Sequence, residues 1–222
     1  MLNGILLSWC MYIPEAFKEV RTEEIERIIR EFPLACLVAN TPEGLVAAHL
    51  PLILKGDEYL IGHIAKDNNM SSLIERDQEV MCIFRGDDAY VSAKDYPQKD
   101  AKNKKVPTWN YQAIHVYGTI RFYNDKRSRL AATGFLTKQI ERDVHGEEAW
   151  RMADAPLDYI MEQIEEITAF DVTITKVLAK SKIGQNDTKD EFITVIENLE
   201  KREEDGMAQT MRKWLGDVGQ EK

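Results

Sequence analysis

The sequence predicts a mainly antiparallel β protein with flanking helices and a helical C-terminal tail. Two apolar runs, 45–54 and 59–65, are separated by the turn residues Lys55-Gly56-Asp57-Glu58, which is the pattern of a β-hairpin. Along 109–123, apolar residues alternate with aromatic and polar ones, which is the period of a strand. Near the C-terminus, apolar residues recur at helical spacing and predict the tail.

The composition is typical of a soluble globular protein. Of its 222 residues, 44% are hydrophobic and 30% are charged, and a chain of this length buries a sizeable core. No apolar run approaches the roughly 18 residues of a membrane span. The three cysteines, Cys10, Cys36 and Cys82, are odd in number and far apart, so we expect free thiols in a reducing cytoplasm.

The charge balance argues against a broad nucleic-acid-binding surface. The formal net charge is -9, whereas binding to a phosphate backbone needs clustered Lys and Arg. The lysine-rich segment 94–105 is a local exception, and a loop of this length is usually a functional flap or disordered. The sequence has no helix-turn-helix pattern and no zinc-finger spacing. Charge therefore does not favour DNA as a partner.

Turn residues and apolar periodicity place the elements along the chain. Residues 1–10 are apolar but lack the basic flank of a signal peptide, so we expect a disordered leader. Pro33 ends a helix that begins at Thr22, and Arg85-Gly86-Asp87-Asp88 predicts a break between two strands. The expected elements are helices at 22–32, 125–140, 157–167, 192–199 and 207–215, a short helix from about residue 73, and strands at 34–39, 45–54, 59–65, 79–84, 89–92, 109–123 and 168–178.

The end of the second apolar run has the residues of an anion site. The strand stops at Lys66, and Ser72 with Glu75 three positions later is a capping box that predicts a helix start near Leu73. A lysine beside unpaired helix N–H groups and a positive helix dipole suits a phosphate. The alternative is a surface lysine in an ordinary strand–helix turn.

The strand at 109–123 has one core face and one face of aromatics with polar tips. Such a hydrogen-bonding aromatic face predicts contact with a flat ligand or a partner subunit. A half-exposed sheet face is the alternative. The residues of this second face are Trp109, Tyr111, His115, Tyr117, Arg121 and Tyr123.

The four histidines do not predict a metal site. If 55–58 form the turn, position 54 faces 59 and position 49 faces 64, so that His63 points to the face opposite His49. His115 lies on another strand and His145 in a connector, so we expect no zinc ligand set. The chain has no Walker loop, Gly-x-Gly-x-x-Gly or Gly-x-Ser-x-Gly, and no side chain stands out as a nucleophile.

Several short strings of the sequence occur in the order seen in one protein family. The chain resembles PaiB-type proteins, which are described as FMN-binding negative transcriptional regulators and adopt the antiparallel, Greek-key FMN-binding split β-barrel of the pyridoxamine-phosphate oxidase type. The resemblance implies a split-barrel domain at 11–186 and a helical extension at 187–222. The strings are Met11-Tyr12-Ile13-Pro14, Phe32-Pro33, His49-Leu50-Pro51-Leu52, Gly62-His63-Ile64-Ala65-Lys66, Ala89-Tyr90-Val91-Ser92, Val106-Pro107-Thr108-Trp109-Asn110-Tyr111 and Gln185-Asn186.

The resemblance also implies a homodimer that places FMN between its subunits. A dianionic phosphate needs a cation and N–H donors, and a planar tricycle needs flat apolar walls. Lys66 stands where the family usually has Arg, which keeps the charge but loses bidentate geometry. The implied residues are His63, Ala65, Lys66 and Asn68 near the phosphate, His49, Leu50 and Pro51 along the ring edge, and Trp109, Asn110 and Tyr111 from the dimer side.

The function implied is that of a cytoplasmic, homodimeric negative regulator of transcription. An FMN-dependent oxidoreductase acting on an unknown small molecule is the alternative, in which the cofactor supplies the chemistry. A haem-binding split barrel is a further alternative and would need an axial ligand such as His63 or His115. Asp187 stands where a basic residue is common in the family, so we do not expect its turn to contact the phosphate.

Overall fold

The computed structural model describes residues 11–97 and 105–219. The expected leader, 1–10, and most of the lysine-rich loop lie outside these described residues. The helices and strands are α1 (Thr22–Glu31), β1 (Leu34–Thr41), β2 (Gly44–Pro51), β3 (Ile53–Lys55), β4 (Tyr59–Ala65), α2 (Met70–Leu73), β5 (Glu79–Val91), β6 (Thr108–Tyr123), α3 (Lys126–His145), α4 (Leu157–Glu165), β7 (Ile167–Lys182), α5 (Lys189–Lys201) and α6 (Asp205–Gly219).

The described strands form one sheet in the order β2-β1-β5-β6-β7-β4-β3. The pairs β1–β2, β1–β5, β3–β4 and β4–β7 are antiparallel. β2 also lies against β4, although these strands are far apart in the strand order, so the sheet curls back on itself. The predicted mainly antiparallel β class with flanking helices is confirmed.

The chain divides into two compact units. The barrel unit comprises residues 21–85 and 114–177, and the terminal unit comprises the described parts of 1–20, 86–113 and 178–222. In the barrel unit, α3 packs Ala132 and Leu136 against Ile53 of β3 and Ala169 of β7. In the terminal unit, α5 and α6 pack on the end of β5. The apolar residues of that core are Ala89, Val91, Tyr96, Ile183, Phe192, Val195, Ile196, Leu199, Met207, Ala208 and Met211.

The predicted hairpin is shorter than expected, and its register was wrong. Of the first apolar run, only β3 pairs with β4, and Leu54 lies opposite Leu60 rather than opposite position 59. The first apolar run belongs mainly to β2, which pairs with β1 so that His49 lies opposite Cys36. Pro51, which has no N–H to donate, ends β2. His49 and His63 are therefore not on paired strands.

The predicted capping box after Lys66 was also wrong. Helix α2 begins at Met70, because the side-chain oxygen of Asn68 accepts a hydrogen bond from the Met70 N–H at 3.0 Å. Glu75 lies beyond the helix, and its N–H donates to Gln78 Oε1 at 2.9 Å. Since α2 has four residues, it supplies little of the helix dipole expected at the anion site.

The expected break at 85–88 does not exist, because β5 runs without interruption through these residues. Asp87 and Asp88 read as turn residues, yet each side chain accepts a hydrogen bond from a distant element. Thr210 Oγ1 of α6 donates to Asp87 Oδ2 at 2.7 Å, and Trp109 Nε1 of β6 donates to Asp88 Oδ1 at 2.7 Å. These bonds hold two polar side chains within a strand.

The alternation predicted for β6 is confirmed, since the even positions from Asn110 to Ile120 are buried.

Two glycines permit close packing in the barrel unit. A Cβ atom on Gly62 would lie 2.6 Å from Phe170 Cζ and 2.6 Å from Leu52 Cδ2. A Cβ atom on Gly118 would collide with the main chain of Thr173. Gly62 therefore lets β4 lie tightly on its neighbours just before His63.

Candidate functional site

The first group of predicted cofactor residues lies on β2. His49 and Pro51 are exposed, and Leu50 is half-buried. None of the eight residues of β2 is buried, although most of them are apolar. Leu45, at the start of the strand, is 77% exposed. β2 therefore presents an apolar strand to its surroundings, as a flavin or a partner subunit would require.

The second group lies where β4 ends. Ala65 and Lys66 are exposed, and Asn68 is half-buried. The main chain is fixed here, because the Lys66 N–H donates to Glu166 O at 2.8 Å and the Asn68 N–H donates to Ala65 O at 3.0 Å. Within 11–97 and 105–219, the Lys66 ammonium group has no ion-pair partner. The turn therefore presents an unpaired cation.

His63 lies on β4 two residues before Ala65 and is half-buried. Its Nδ1 atom is buried and has no hydrogen-bond partner in the described structure. Burial lowers the pKa of His63 below its usual range, since an apolar environment disfavours the charged imidazolium. His63 is therefore a neutral donor or acceptor at neutral pH.

The residues at the end of β4 fit the phosphate of FMN in their chemistry. Lys66 offers a cation, and the Asn68 side chain binds Met70 through its oxygen, which orients its NH₂ group as a donor. A phosphate bound by charge-assisted hydrogen bonds needs this combination. The exposed, apolar β2 in the same unit fits the demand of the ring for flat apolar walls.

The third group lies on β6 in the terminal unit. Trp109 is 50% exposed, and its ring lies 5.9 Å from that of Tyr90 at an interplanar angle of 58°. Tyr111 is half-buried, with Lys180 Nζ 5.2 Å from its ring centroid. Asn110 is on the opposite face of the strand and is buried, with its side-chain nitrogen donating to Met211 Sδ. Trp109 and Tyr111 share a face that Asn110 does not.

Sequence reasoning missed the two side chains that contact Trp109. Asp88 holds its indole N–H, and Tyr90 packs against its ring. The two-residue spacing of Asp88 and Tyr90 would have placed them on one face of a strand. The expected break at 85–88 concealed that signal.

A polar cleft of about 260 Å³ lies in the terminal unit. Lys182 lines it and donates from Nζ to Trp109 O at 2.6 Å, and burial, together with the charge of Lys180, lowers the pKa of Lys182. Asp187 also lines it and is paired with Lys105 at 2.7 Å. The sequence predicted repulsion between Asp187 and a phosphate, but the Lys105 ammonium group offsets that carboxylate.

The described residues contain no group of three or more His, Cys, Asp or Glu side chains that could hold a metal ion. Cys36 and Cys82 are free thiols. No helix within the described part of the chain is long and apolar enough to cross a membrane.

Comparison with known proteins decides the family. A family model described as "Putative FMN-binding domain" matches residues 11–176. The chain belongs to this FMN-binding family. FMN is accordingly its cofactor, and the cofactor implied by the resemblance is confirmed.

A relative of known name agrees with this family. The chain is 30% identical over 196 residues to the protease synthase and sporulation protein PAI 2 of Bacillus subtilis, a match that covers 87% of this chain and 91% of the relative. The resemblance to PaiB-type proteins is therefore confirmed.

Two solved structures share the fold at low sequence identity. The flavocytochrome Anf3 from Azotobacter vinelandii has a TM-score of 0.55 and 13% identity, with 80% of this chain and 75% of that chain covered. The FAD and heme binding protein from Mycobacterium smegmatis has a TM-score of 0.54 and 14% identity, with 78% and 77% covered. The predicted split β-barrel fold is confirmed.

Proposed function

We propose that this FMN-binding protein acts as a homodimeric negative regulator of transcription that holds FMN between its two subunits. One observation supports the flavin site of this proposal: β2 is an apolar strand without a buried residue, and it lies in the same unit as the unpaired cation of Lys66. An apolar surface next to a phosphate-binding group suits a flavin covered by a second subunit.

The dimer explains the exposed apolar side chains of the β1–β2 hairpin. Leu34 is 63% exposed and lies opposite Pro51, which is exposed as well. Leu45 is exposed at the other end of β2. Apolar surface of this kind is costly to expose to water and is often buried at subunit interfaces. A second copy of the chain is the covering surface that we propose.

The proposed cofactor site takes its phosphate contacts from the end of β4. Lys66 and the Asn68 amide would hold the phosphate, with the fixed turn from Ala65 to Asn68 orienting them. β2 stands at the end of the described strand order, so the main chain of His49 to Pro51 has one edge without a strand partner there. The main-chain groups along that edge would form hydrogen bonds with the polar atoms of the flavin ring.

The second subunit would contribute the aromatic face of β6. Trp109 and Tyr111 present that face, and Asp88 fixes the indole of Trp109. Asn110, being buried on the other face, would support the strand rather than touch the ring. FMN supplies redox chemistry when it is bound, and the residues of this chain bind and orient it.

The regulatory role rests on the family resemblance and on the relative named for protease synthesis and sporulation. With a net charge of -9, the chain is poorly suited to binding DNA through its phosphates. We therefore expect cytoplasmic regulation in which the flavoprotein acts mainly through another molecule.

Three measurements on the purified 222-residue chain test this proposal. We expect a flavin absorption spectrum after FMN is added, and a dimer by sedimentation equilibrium. We expect retardation of promoter DNA, if it occurs, to be lost by about 0.2 M salt, as for non-specific binding. A monomer that binds FMN with unchanged affinity at all concentrations would contradict the interface site. DNA binding that survives moderate salt would support direct repression instead.

An FMN-dependent oxidoreductase is the second candidate, and a cleft in the barrel unit that His63 lines favours it. Anaerobic addition of a nicotinamide nucleotide would then bleach the bound flavin. A flavin that stays oxidised would weaken the oxidoreductase interpretation for this reductant. The haem alternative predicts a Soret band, and His63 and His115 would then be the first axial ligands to test.

A further inference from the structure

The polar cleft of about 260 Å³ in the terminal unit has no ligand assigned to it by the proposed flavin site. The side chains proposed to hold the FMN phosphate, those of Lys66 and Asn68, belong to the barrel unit. Asn110 lines the cleft, but its side-chain nitrogen already donates to Met211 Sδ. The other side chains that line it include Phe17, Tyr96, Thr108, Lys182, Asn186 and Asp187.

Lys182 brings to this cleft a half-buried cation that has no carboxylate partner in the described ranges. Its Nζ atom donates to Thr108 Oγ1 at 2.5 Å and to Trp109 O at 2.6 Å. Because an ammonium group has three N–H donors, one donor of Lys182 remains unused. The charge of Lys182 is therefore held by neutral oxygens alone.

Lys180, two residues earlier on β7, adds a second cation of the same kind. It is 8% exposed, and within 11–97 and 105–219 it also has no carboxylate partner. Its Nζ atom donates to Tyr12 O at 3.2 Å and lies 5.2 Å from the ring centroid of Tyr111. Burial, followed by the charge of Lys180, lowers the pKa of Lys182. Two neighbouring cations of this kind are stabilised when an anion binds beside them.

The carboxylates near the cleft are already paired with another lysine. Lys105 Nζ lies 2.7 Å from Asp187 Oδ1 and 3.1 Å from Glu191 Oε2. Together with Lys180 and Lys182, these residues form a cluster of three ammonium groups and two carboxylates. The cluster has one positive charge in excess, which a single negative charge would balance.

The polar groups around Lys182 suit an acceptor. Thr108 Oγ1 accepts its hydrogen bond from Lys182, so the Thr108 O–H group is left as a donor. Asn186 is exposed on the lining and offers an NH₂ group. An ionised carboxylate is acceptor-only and binds such donors with charge-assisted hydrogen bonds.

The size of the cleft limits the rest of the ligand. Phe17 and Tyr96 supply aromatic surface on the lining. A cavity of about 150 Å³ holds benzene, so a cleft of about 260 Å³ accepts one ring with a small substituent.

We propose that this cleft binds a small organic monocarboxylate with a body of about one ring, and that Lys182 and Thr108 hold its carboxylate. Lys180 acts at a distance, through its charge. A phosphate monoester fits less well, because it carries a charge of about −1.5 to −2 at neutral pH, which exceeds the single positive charge in excess and lies beside Asp187.

A titration with benzoate tests the proposal on the purified chain saturated with FMN, with saturation-transfer NMR of the ligand as the readout. We expect saturable binding of one benzoate per chain. Benzamide has nearly the same shape but no charge, so it should bind roughly 10- to 100-fold more weakly, as for the loss of a hydrogen bond to a charged group. Phenyl phosphate should also bind more weakly than benzoate.

Variants then locate the site. Lys182→Met removes the charge and should weaken benzoate binding roughly 10- to 100-fold, while leaving the affinity for benzamide almost unchanged. Thr108→Val removes one donor and should weaken benzoate binding roughly threefold to tenfold. Lys201→Met is the matched control, because Lys201 also donates to a neutral oxygen, Asn198 Oδ1 at 3.1 Å, but lies at the end of α5. This control should bind benzoate as the wild type does.

Four results would overturn the inference. They are an absence of saturable benzoate binding, equal affinities for benzoate and benzamide, tighter binding of phenyl phosphate than of benzoate, and unchanged benzoate affinity in Lys182→Met. Displacement of benzoate by FMN from the FMN-free chain would also overturn it, by assigning the cleft to the flavin. The comparison of the three ligands needs no variant, so it decides the case even if a substitution impairs folding.

Discussion

The ammonium group of Lys66 is exposed at the end of β4 and has no ion-pair partner in the described ranges. We predict that Lys66→Ala weakens FMN binding. A hydrogen bond to a charged group contributes about 1.5–3 kcal/mol, which corresponds to roughly 10- to 100-fold in the dissociation constant. Titration of FMN fluorescence measures the effect.

Two further variants interpret that result. Lys66→Arg keeps the charge and adds the bidentate geometry of a guanidinium group, so it should bind FMN at least as well as the wild type. Lys126→Ala removes another exposed lysine of the barrel unit and should leave the FMN affinity unchanged. Equal losses in Lys66→Ala and Lys126→Ala would reveal a general effect of charge rather than a contact with the phosphate.

His63 predicts a dependence of stability on pH. Its pKa in the folded protein is lowered by burial below the usual 6.5, so the unfolded chain binds more protons than the folded one as the pH falls. The free energy of unfolding should therefore decrease as the pH falls below about 6.5. Urea unfolding at pH 7.5 and pH 5.5 measures this decrease.

The matching variants assign the effect to His63. His63→Gln removes the titrating group, so its loss of stability between the two pH values should be smaller than that of the wild type. His145→Gln changes an exposed histidine on α3 and should behave like the wild type. An unaltered pH dependence in His63→Gln would place the effect on another group, of which His115 is the first to test because burial lowers its pKa also.

At the scale of the element, Gly62 sets how closely β4 packs. A Cβ atom there would lie 2.6 Å from side-chain atoms of both Leu52 and Phe170. We predict that Gly62→Ala lowers the free energy of unfolding by about 1–3 kcal/mol through overpacking. Gly216→Ala is the control, because a Cβ on this helical glycine meets nothing within 4 Å. It should be neutral or stabilising by up to about 1 kcal/mol in the same denaturation experiment.

Local patterns predicted some elements well and failed at others for identifiable reasons. The alternation along β6 was visible because burial follows a two-residue period in its sequence. The continuity of β5 was hidden, because the partners of Asp87 and Asp88 are Thr210 and Trp109, which lie 123 and 21 positions away. The predicted start of α2 was too late in the sequence. The Asn68 side chain accepts a hydrogen bond from the Met70 N–H, so the helix begins before Ser72.

The features of the candidate site were likewise only partly predictable from the sequence. The exposure of Lys66 follows from its position after an apolar strand, which the sequence shows. The proximity of His63 and Thr133 was beyond sequence reasoning, because these residues line the same cleft only when α3 packs on β4. The paired state of Asp187 likewise depends on Lys105, which is 82 positions away.

At the scale of the whole molecule, the proposed dimer depends on β2. We predict that Leu45→Lys converts the dimer to a monomer and lowers FMN affinity, because it places a charge within an apolar interface. Sedimentation velocity and FMN titration measure the two effects. Val144→Lys changes another exposed apolar side chain, one that is 67% exposed on α3, and should leave the dimer intact. Dissociation by both substitutions would argue against an interface centred on β2.

The exposed strand β2 also has a consequence for the newly synthesised chain. An apolar strand at the end of a sheet, with open main-chain groups along one edge, is a template for strand addition by other molecules. If the proposed dimer covers that strand, we expect a chain that has not yet dimerised to aggregate more readily. The supply of riboflavin phosphate in the cell would then help to determine how much of the protein survives synthesis, as well as how much of it is active.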